Sequence, residues 1–205
     1  MPKIALRSFV LPCLAAVLIG CGSKTAQPKP TASSPPETPT TNSALHSFPM
    51  AVAHLHFNGL ENASGKVVFT QTDRGTQIVV DITGISPGLH GIHIHEKGDC
   101  STPDFSSAGG HFNPSGTAHG GPDSEVHHAG DLGNIEIGPD GIGHLELTSR
   151  ILTVEEGPDC VVGRAVIVHA GPDNLISQPS GDSGPRIACG LVRLELTIPE
   201  AELLE

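Results

Sequence analysis

His93 and His95 lie in Gly91-Ile92-His93-Ile94-His95-Glu96, where imidazoles alternate with isoleucines. On a strand, side chains at i and i+2 share a face and sit roughly 6.6 Å apart. Two imidazoles can therefore converge on one metal ion while Ile92 and Ile94 pack on the opposite face. An isolated His-x-His is weak evidence, and the loop that follows strengthens it. His111, His119, His128 and Asp131 follow at spacings of 8, 9 and 3 in a glycine-rich stretch. Three imidazoles and one carboxylate make a closed tetrahedral set suited to structural zinc. Solvated loop histidines are the plainer alternative, and four such residues in one loop argue against it. His169 ends the apolar run Val166-Ile167-Val168-His169. Alone it would read as structural; beside the others it is a candidate fourth nitrogen for the first metal.

The elements that hold these residues are strands. The chain has 205 residues with 25 Gly, 18 Pro and 3% aromatics. Gly plus Pro is about a fifth of the chain, against an average of roughly 12%, a mixture that disfavours helix bundles and favours short strands joined by turns and long loops. With 6 Phe and neither Trp nor Tyr, the core falls to Val, Ile and Leu. Alternation is clearest over 76–83, where Ile78, Val80 and Ile82 share a face. Strands are expected at 49–57, 64–72, 76–83, 90–96, 131–137, 143–149, 162–169 and 188–197, separated by turn signals such as Asn58-Gly59 and Pro139-Asp140-Gly141. Eight strands without helical periodicity predict an all-β closed barrel or sandwich. Two connections, 97–130 and 170–187, exceed simple turns and hold most of the polar residues of interest, which marks them as functional loops.

Lys3 and Arg7 precede an apolar run over 9–19 that is too short to span a bilayer. The run ends in Leu18-Ile19-Gly20-Cys21, which resembles a bacterial lipobox; the alternative is an ordinary secretory signal with an incidental cysteine. Either way the protein is expected outside the cytoplasm, where disulfides persist. The expected organisation is a signal peptide over 1–20, a tether anchored through lipidated Cys21 and disordered over 21–45, a folded domain over 46–199 and a tail over 200–205. The location implied is the bacterial cell envelope, facing the periplasm, with membrane contact only through the lipid. The formal charge is −11, which excludes nucleic acid as a partner.

The runs Gly88-Leu89-His90-Gly91-Ile92-His93-Ile94-His95-Glu96, Gly110-His111-Phe112-Asn113-Pro114, His128-Ala129-Gly130-Asp131-Leu132-Gly133-Asn134 and Gly184-Pro185-Arg186-Ile187-Ala188-Cys189-Gly190 resemble the copper/zinc superoxide dismutase family over about 50–197. The resemblance implies a flattened eight-stranded Greek-key β-barrel of immunoglobulin-like topology. It implies one copper ion held by His93, His95, His111 and His169 and one zinc ion held by His111, His119, His128 and Asp131, with His111 as a bridging imidazolate. Asp173 matches a carboxylate that hydrogen-bonds ligands of both metals, and Arg186 an arginine that guides the anion. Cys100 and Cys189 match an intradomain disulfide, leaving Cys160 unpaired. The activity implied is disproportionation of two superoxide anions to dioxygen and hydrogen peroxide, with His111 and Arg186 in catalytic roles. In that mechanism His111 leaves copper on reduction and its freed nitrogen is protonated.

Three departures stand out. Loop 170–187 contains no Lys, so attraction of superoxide rests on Arg186, the metals and Lys97. Lys97 follows His95-Glu96 where eukaryotic relatives carry an aromatic at their dimer interface. A charge resists burial there, which leaves a homodimer open but not by that mode. His127, next to His128, has spacing that fits no ligand position and reads as a solvated neighbour. Gly181-Asp182-Ser183-Gly184 resembles the nucleophile region of chymotrypsin-like proteases, but the second Gly before the Pro and the Ala-Ala-His-Cys box are missing. The better rival is an extracytoplasmic copper-binding or storage protein without turnover, for which Arg186 and a shared His111 would have no use.

Overall fold

The strand over residues 75–83 shows how the sequence makes this fold. Thr76, Ile78, Val80 and Ile82 turn inward and are buried, while Asp81 and Thr83 face solvent. Repeated along the chain, this period-2 pattern gives each strand one core face and one wet face. In the computed structural model, residues 49–195 are described. They form β1 (Met50–Phe57), β2 (Ser64–Thr72), β3 (Gly75–Thr83), β4 (Gly88–His95), β5 (Asp131–Ile137), β6 (Ile142–Ser149), β7 (Ala165–His169), β8 (Arg186–Leu191) and β9 (Arg193–Glu195), with one 3-10 turn at Ser106–Ala108. The signal peptide, Cys21 and tether expected over 1–45 fall outside the described residues, as does the tail over 200–205.

The spatial order is β2-β3-β6-β5-β4-β7-β8-β1-β9, and β2 also pairs with β1, so the all-antiparallel sheet closes into a barrel. This is the expected eight-stranded Greek-key barrel: β8 and β9 are one broken strand that interrupts its pairing at Val192, and both run antiparallel to β1. The expected strand over 188–197 thus starts two residues earlier and is split. The expected strand over 162–169 begins only at Ala165, because Arg164 N–H closes a turn onto Val161 O. Closure is loosest between β5 and β6, which pair only at Ile137 and Gly143.

The strands that carry the histidines are buried on both faces. In β4 and β7, Ile92, Ile94, Val166 and Val168 fill the barrel interior. Ala165 and Ile167 point the other way, into a smaller apolar cluster with Phe105, Ala108 and Cys189. Pairing sets His93 opposite Ile167 and His95 opposite Ala165, so the histidines share this outer side. Loop 97–130 covers it. The loop is stitched on by the disulfide Cys100–Cys189, with Cα atoms 5.8 Å apart, and by Asn58 Nδ2–H donating to Pro103 O at 2.6 Å.

Candidate metal centre

Residues 110–112 return beside the end of β4. Glu96 N–H donates to Gly110 O, and Phe112 N–H to Ile94 O; Ile94 N–H in turn donates to Gly130 O. His111 is thereby held opposite His95, between β4 and the start of β5. Gly130 permits this lacing, since a Cβ there would lie 2.3 Å from Ile94 O. Behind His111, the Arg164 guanidinium lies 4.0 Å over the Phe112 ring and donates from Nη1 to Glu96 O at 2.7 Å.

Two sets of potential ligands result: His93, His95, His111 and His169, and His111, His119, His128 and Asp131. All are buried, and within each set one ligand atom per residue lies within 4.8 Å of the others. The two sets share His111. Every histidine and carboxylate singled out from the sequence as a metal ligand is therefore brought together; His127 belongs to neither set, and its Nδ1 lies 2.7 Å from His128 O.

Hydrogen bonds decide which nitrogen each ring offers. His93 Nε2–H donates to Asp173 Oδ2 at 2.6 Å, His95 Nδ1–H to Gly109 O at 2.9 Å and His169 Nδ1–H to Gly184 O at 2.9 Å. A neutral imidazole has one N–H, so the opposite nitrogens, His93 Nδ1, His95 Nε2 and His169 Nε2, carry lone pairs. These three and His111 Nε2 are buried without a protein partner. Orphaned buried lone pairs are costly, and four converging nitrogens fit a cation that favours imidazole.

The second set gives the same test a sharper form. His119 Nε2–H donates to Asp173 Oδ1 at 3.0 Å, so its Nδ1 is a lone pair, yet it lies 3.1 Å from Asp131 Oδ1. Two acceptors face one another there, an arrangement that a cation between them would relieve. His111 Nδ1 and His128 Nδ1 approach the same oxygen at 2.7 and 3.2 Å. Asp131 Oδ2 is occupied separately, accepting from Gly120 N–H at 3.1 Å and His128 N–H at 2.8 Å. Three nitrogens and one carboxylate oxygen suit tetrahedral zinc.

The electrostatics favour the ligand forms. Burial lowers His93 from 6.5 to about 3 against its bond to Asp173, which pulls upward. Burial likewise lowers His95 to about 2 and His169 to about 4. Burial alone would raise the carboxylates, but their hydrogen bonds outweigh it. The His93 and His119 rings and the Leu175 N–H hold Asp173 at about 2, and Asp131 stays well below the usual carboxylate range. At neutral pH His93, His95 and His169 are thus neutral imidazoles, and Asp131 and Asp173 are charged carboxylates. In the unfolded chain these histidines take up protons near 6.5, but in the folded chain only near 4 and below. The metal-free protein should therefore lose stability as pH falls below about 6.5, each group contributing at most about 1.4 kcal/mol per pH unit. Denaturant midpoints of metal-free protein at about pH 7 and pH 5 check this; equal midpoints would contradict it.

Arg186 stands at the rim of the first set, at the start of β8. Nη1–H donates to Phe105 O at 2.6 Å and Nη2–H to Gly109 O at 2.7 Å, the same carbonyl that orients His95. Two loop carbonyls fix the guanidinium and leave its other N–H groups for a ligand. Phe105 keeps a left-handed backbone, φ 56°, and its buried side chain sits in the cluster beside the disulfide. Cys160 is free and half-buried.

Several residues of the centre had no role assigned to them from the sequence. Asn134 grips the backbone of Asp173, accepting its N–H at 2.7 Å and donating to its carbonyl at 2.9 Å. His90, buried, lies with Nδ1 2.8 Å from His169 O and Nε2 3.0 Å from Ser86 O. Arg164, Gln178 and Phe105 also act through backbone groups, and such contacts impose no spacing that a motif search could find.

The family model for copper/zinc superoxide dismutase matches residues 63–192. A solved structure titled "Crystal Structure Analysis of the clock protein EA4" is similar at 35% identity, covering 70% of this chain and 93% of that one with a TM-score of 0.65. Motifs, barrel and paired ligand sets agree with that match: the chain belongs to the copper/zinc superoxide dismutase family.

Proposed function

We propose that the protein is a superoxide dismutase, disproportionating two superoxide anions and two protons to dioxygen and hydrogen peroxide. The observation that carries this reading is the sharing of His111, whose Nε2 belongs to an all-imidazole set and whose Nδ1 belongs to a set with a carboxylate. On this reading His93, His95, His111 and His169 hold copper, and His111, His119, His128 and Asp131 hold zinc. Bound copper would supply the one-electron Cu(II)/Cu(I) couple, and zinc, which has no redox chemistry, would order the loop. The chain's own residues do the rest. Arg186 binds the incoming anion with the N–H groups its two carbonyls leave over, and the same carbonyl at Gly109 keeps it in register with His95. His111 Nε2 is the buried nitrogen able to hold a proton between turnovers. Asp173 fixes one ring of each set at once. With its N-terminal segment read as an export signal and Cys21 as a lipid anchor, the enzyme would meet superoxide in the cell envelope.

Metal analysis paired with a superoxide-decay assay tests this. The expected result is copper and zinc near one each per chain, with catalysis lost on removing copper and regained on returning it. Stoichiometric copper uptake with no effect on superoxide would overturn the reading in favour of a copper-binding or storage protein.

A further inference from the structure

His119 is buried, and both of its backbone polar groups bond to one side chain. Gln178 Oε1 accepts from His119 N–H at 2.9 Å, and Gln178 Nε2–H donates to His119 O at 2.9 Å. This two-bond clamp is what a neighbouring strand would otherwise provide. Among the described residues no other group bonds the His119 backbone, so without Gln178 a buried N–H and C=O would lose their partners, a condition native structures rarely tolerate. Gln178 is itself held by a further bond from Nε2 to Ile176 O at 3.2 Å.

The ring of His119 is fixed at its other end by Asp173. Loop 170–187 thus grips one ligand of the second set twice, by ring through Asp173 and by backbone through Gln178. Gly181 fits between the two grips, since a Cβ there would lie 1.9 Å from Asp173 Oδ1 and 2.7 Å from His119 Nε2.

We propose that Gln178 is a positioning residue for the His111, His119, His128 and Asp131 set, aiming His119 Nδ1 through the backbone of that residue. This rests on the reading of the set as a metal site. Groups that orient a ligand typically change metal affinity by about 10–100-fold when lost, and Gln178 orients one ligand of four.

The test uses the full chain and two substitutions. Q178M keeps the length and removes donor and acceptor; Q178N keeps the amide but is one methylene short, and carries the test if Q178M does not fold. Zn(II) affinity is measured in competition with a chromophoric chelator, and Co(II) placed in the same set reports ligand geometry through its visible d–d absorption. Zinc affinity should fall by about 10–100-fold with a weakened or shifted cobalt band, while Cu(II) affinity at the other set stays within about threefold. Wild-type zinc affinity and an unchanged cobalt spectrum in both variants would overturn the proposal. So would equal losses at both sets, which would mark Gln178 as a general structural residue. Failure of the wild-type chain to take up Zn(II) or Co(II) would remove the underlying reading as well, and shows itself without any variant.

Discussion

Arg186→Glu should lower the rate of superoxide decay by at least about tenfold, and its salt dependence should change sign. With arginine at the rim, rising ionic strength screens an attraction and slows the reaction; with glutamate it screens a repulsion and speeds the little activity left. Arg186 is the one basic residue of loop 170–187, which contains no Lys. Copper content should survive, because His95 keeps its own bond to Gly109 O when Arg186 withdraws. Pulse radiolysis at matched copper loading, at low and high salt, makes the comparison. Equal rates for the two proteins at both salts would remove Arg186 from the reaction.

Asp173→Asn should cost one of the two sets a ligand. The two carboxylate oxygens each accept from an imidazole N–H, His93 on one side and His119 on the other. An asparagine has only one acceptor oxygen, and its NH₂ must face the other ring. That ring relieves the clash by moving its proton to the opposite nitrogen, which then points N–H where a lone pair is needed. Metal affinity at the affected set should fall by about 10–100-fold, read by chelator competition for copper and zinc separately. The backbone clamp from Asn134 does not involve the altered group, so the loop should keep its path. Undiminished affinity at both sets would contradict the argument.

The sequence carried the ligands well because each stands in a context with its own signal. His93 and His95 alternate with isoleucines that must be inside, and His169 closes an apolar run; strand parity then assigns all three to one outer face. The barrel was legible for the same reason, as the inward residues of β3 show. What escaped, the Asp173 bonds to His93 and His119 apart, was the holding of those ligands. Gly109 O serves both His95 and Arg186, and a carbonyl is the same in every residue type. Gln178 and Asn134 grip backbone across 59 and 39 residues, with no periodicity to betray them. The break at Val192 also escaped, because Val192 N–H donates to Arg164 O, a partner fixed by a turn rather than by the apolar pattern around it.

The closure of the barrel bears on how the chain folds. β1 bonds to β2 near the start of the described chain and to β8 and β9 at its end, so the first strand made must wait for the last. Such nonlocal pairing is searched for slowly, and until it forms β1 and β7 both present open edges that can recruit another chain. The copper-type set has the same dependence, for His93 and His169 become neighbours only when β4 and β7 do. All four nitrogens of that set can therefore meet one ion only after β4 and β7 have paired. The bond between Cys100 and Cys189, 89 residues apart, joins β8 to the first half of the chain and shortens that search. The rate at which that disulfide forms thereby sets how long the edges stay open.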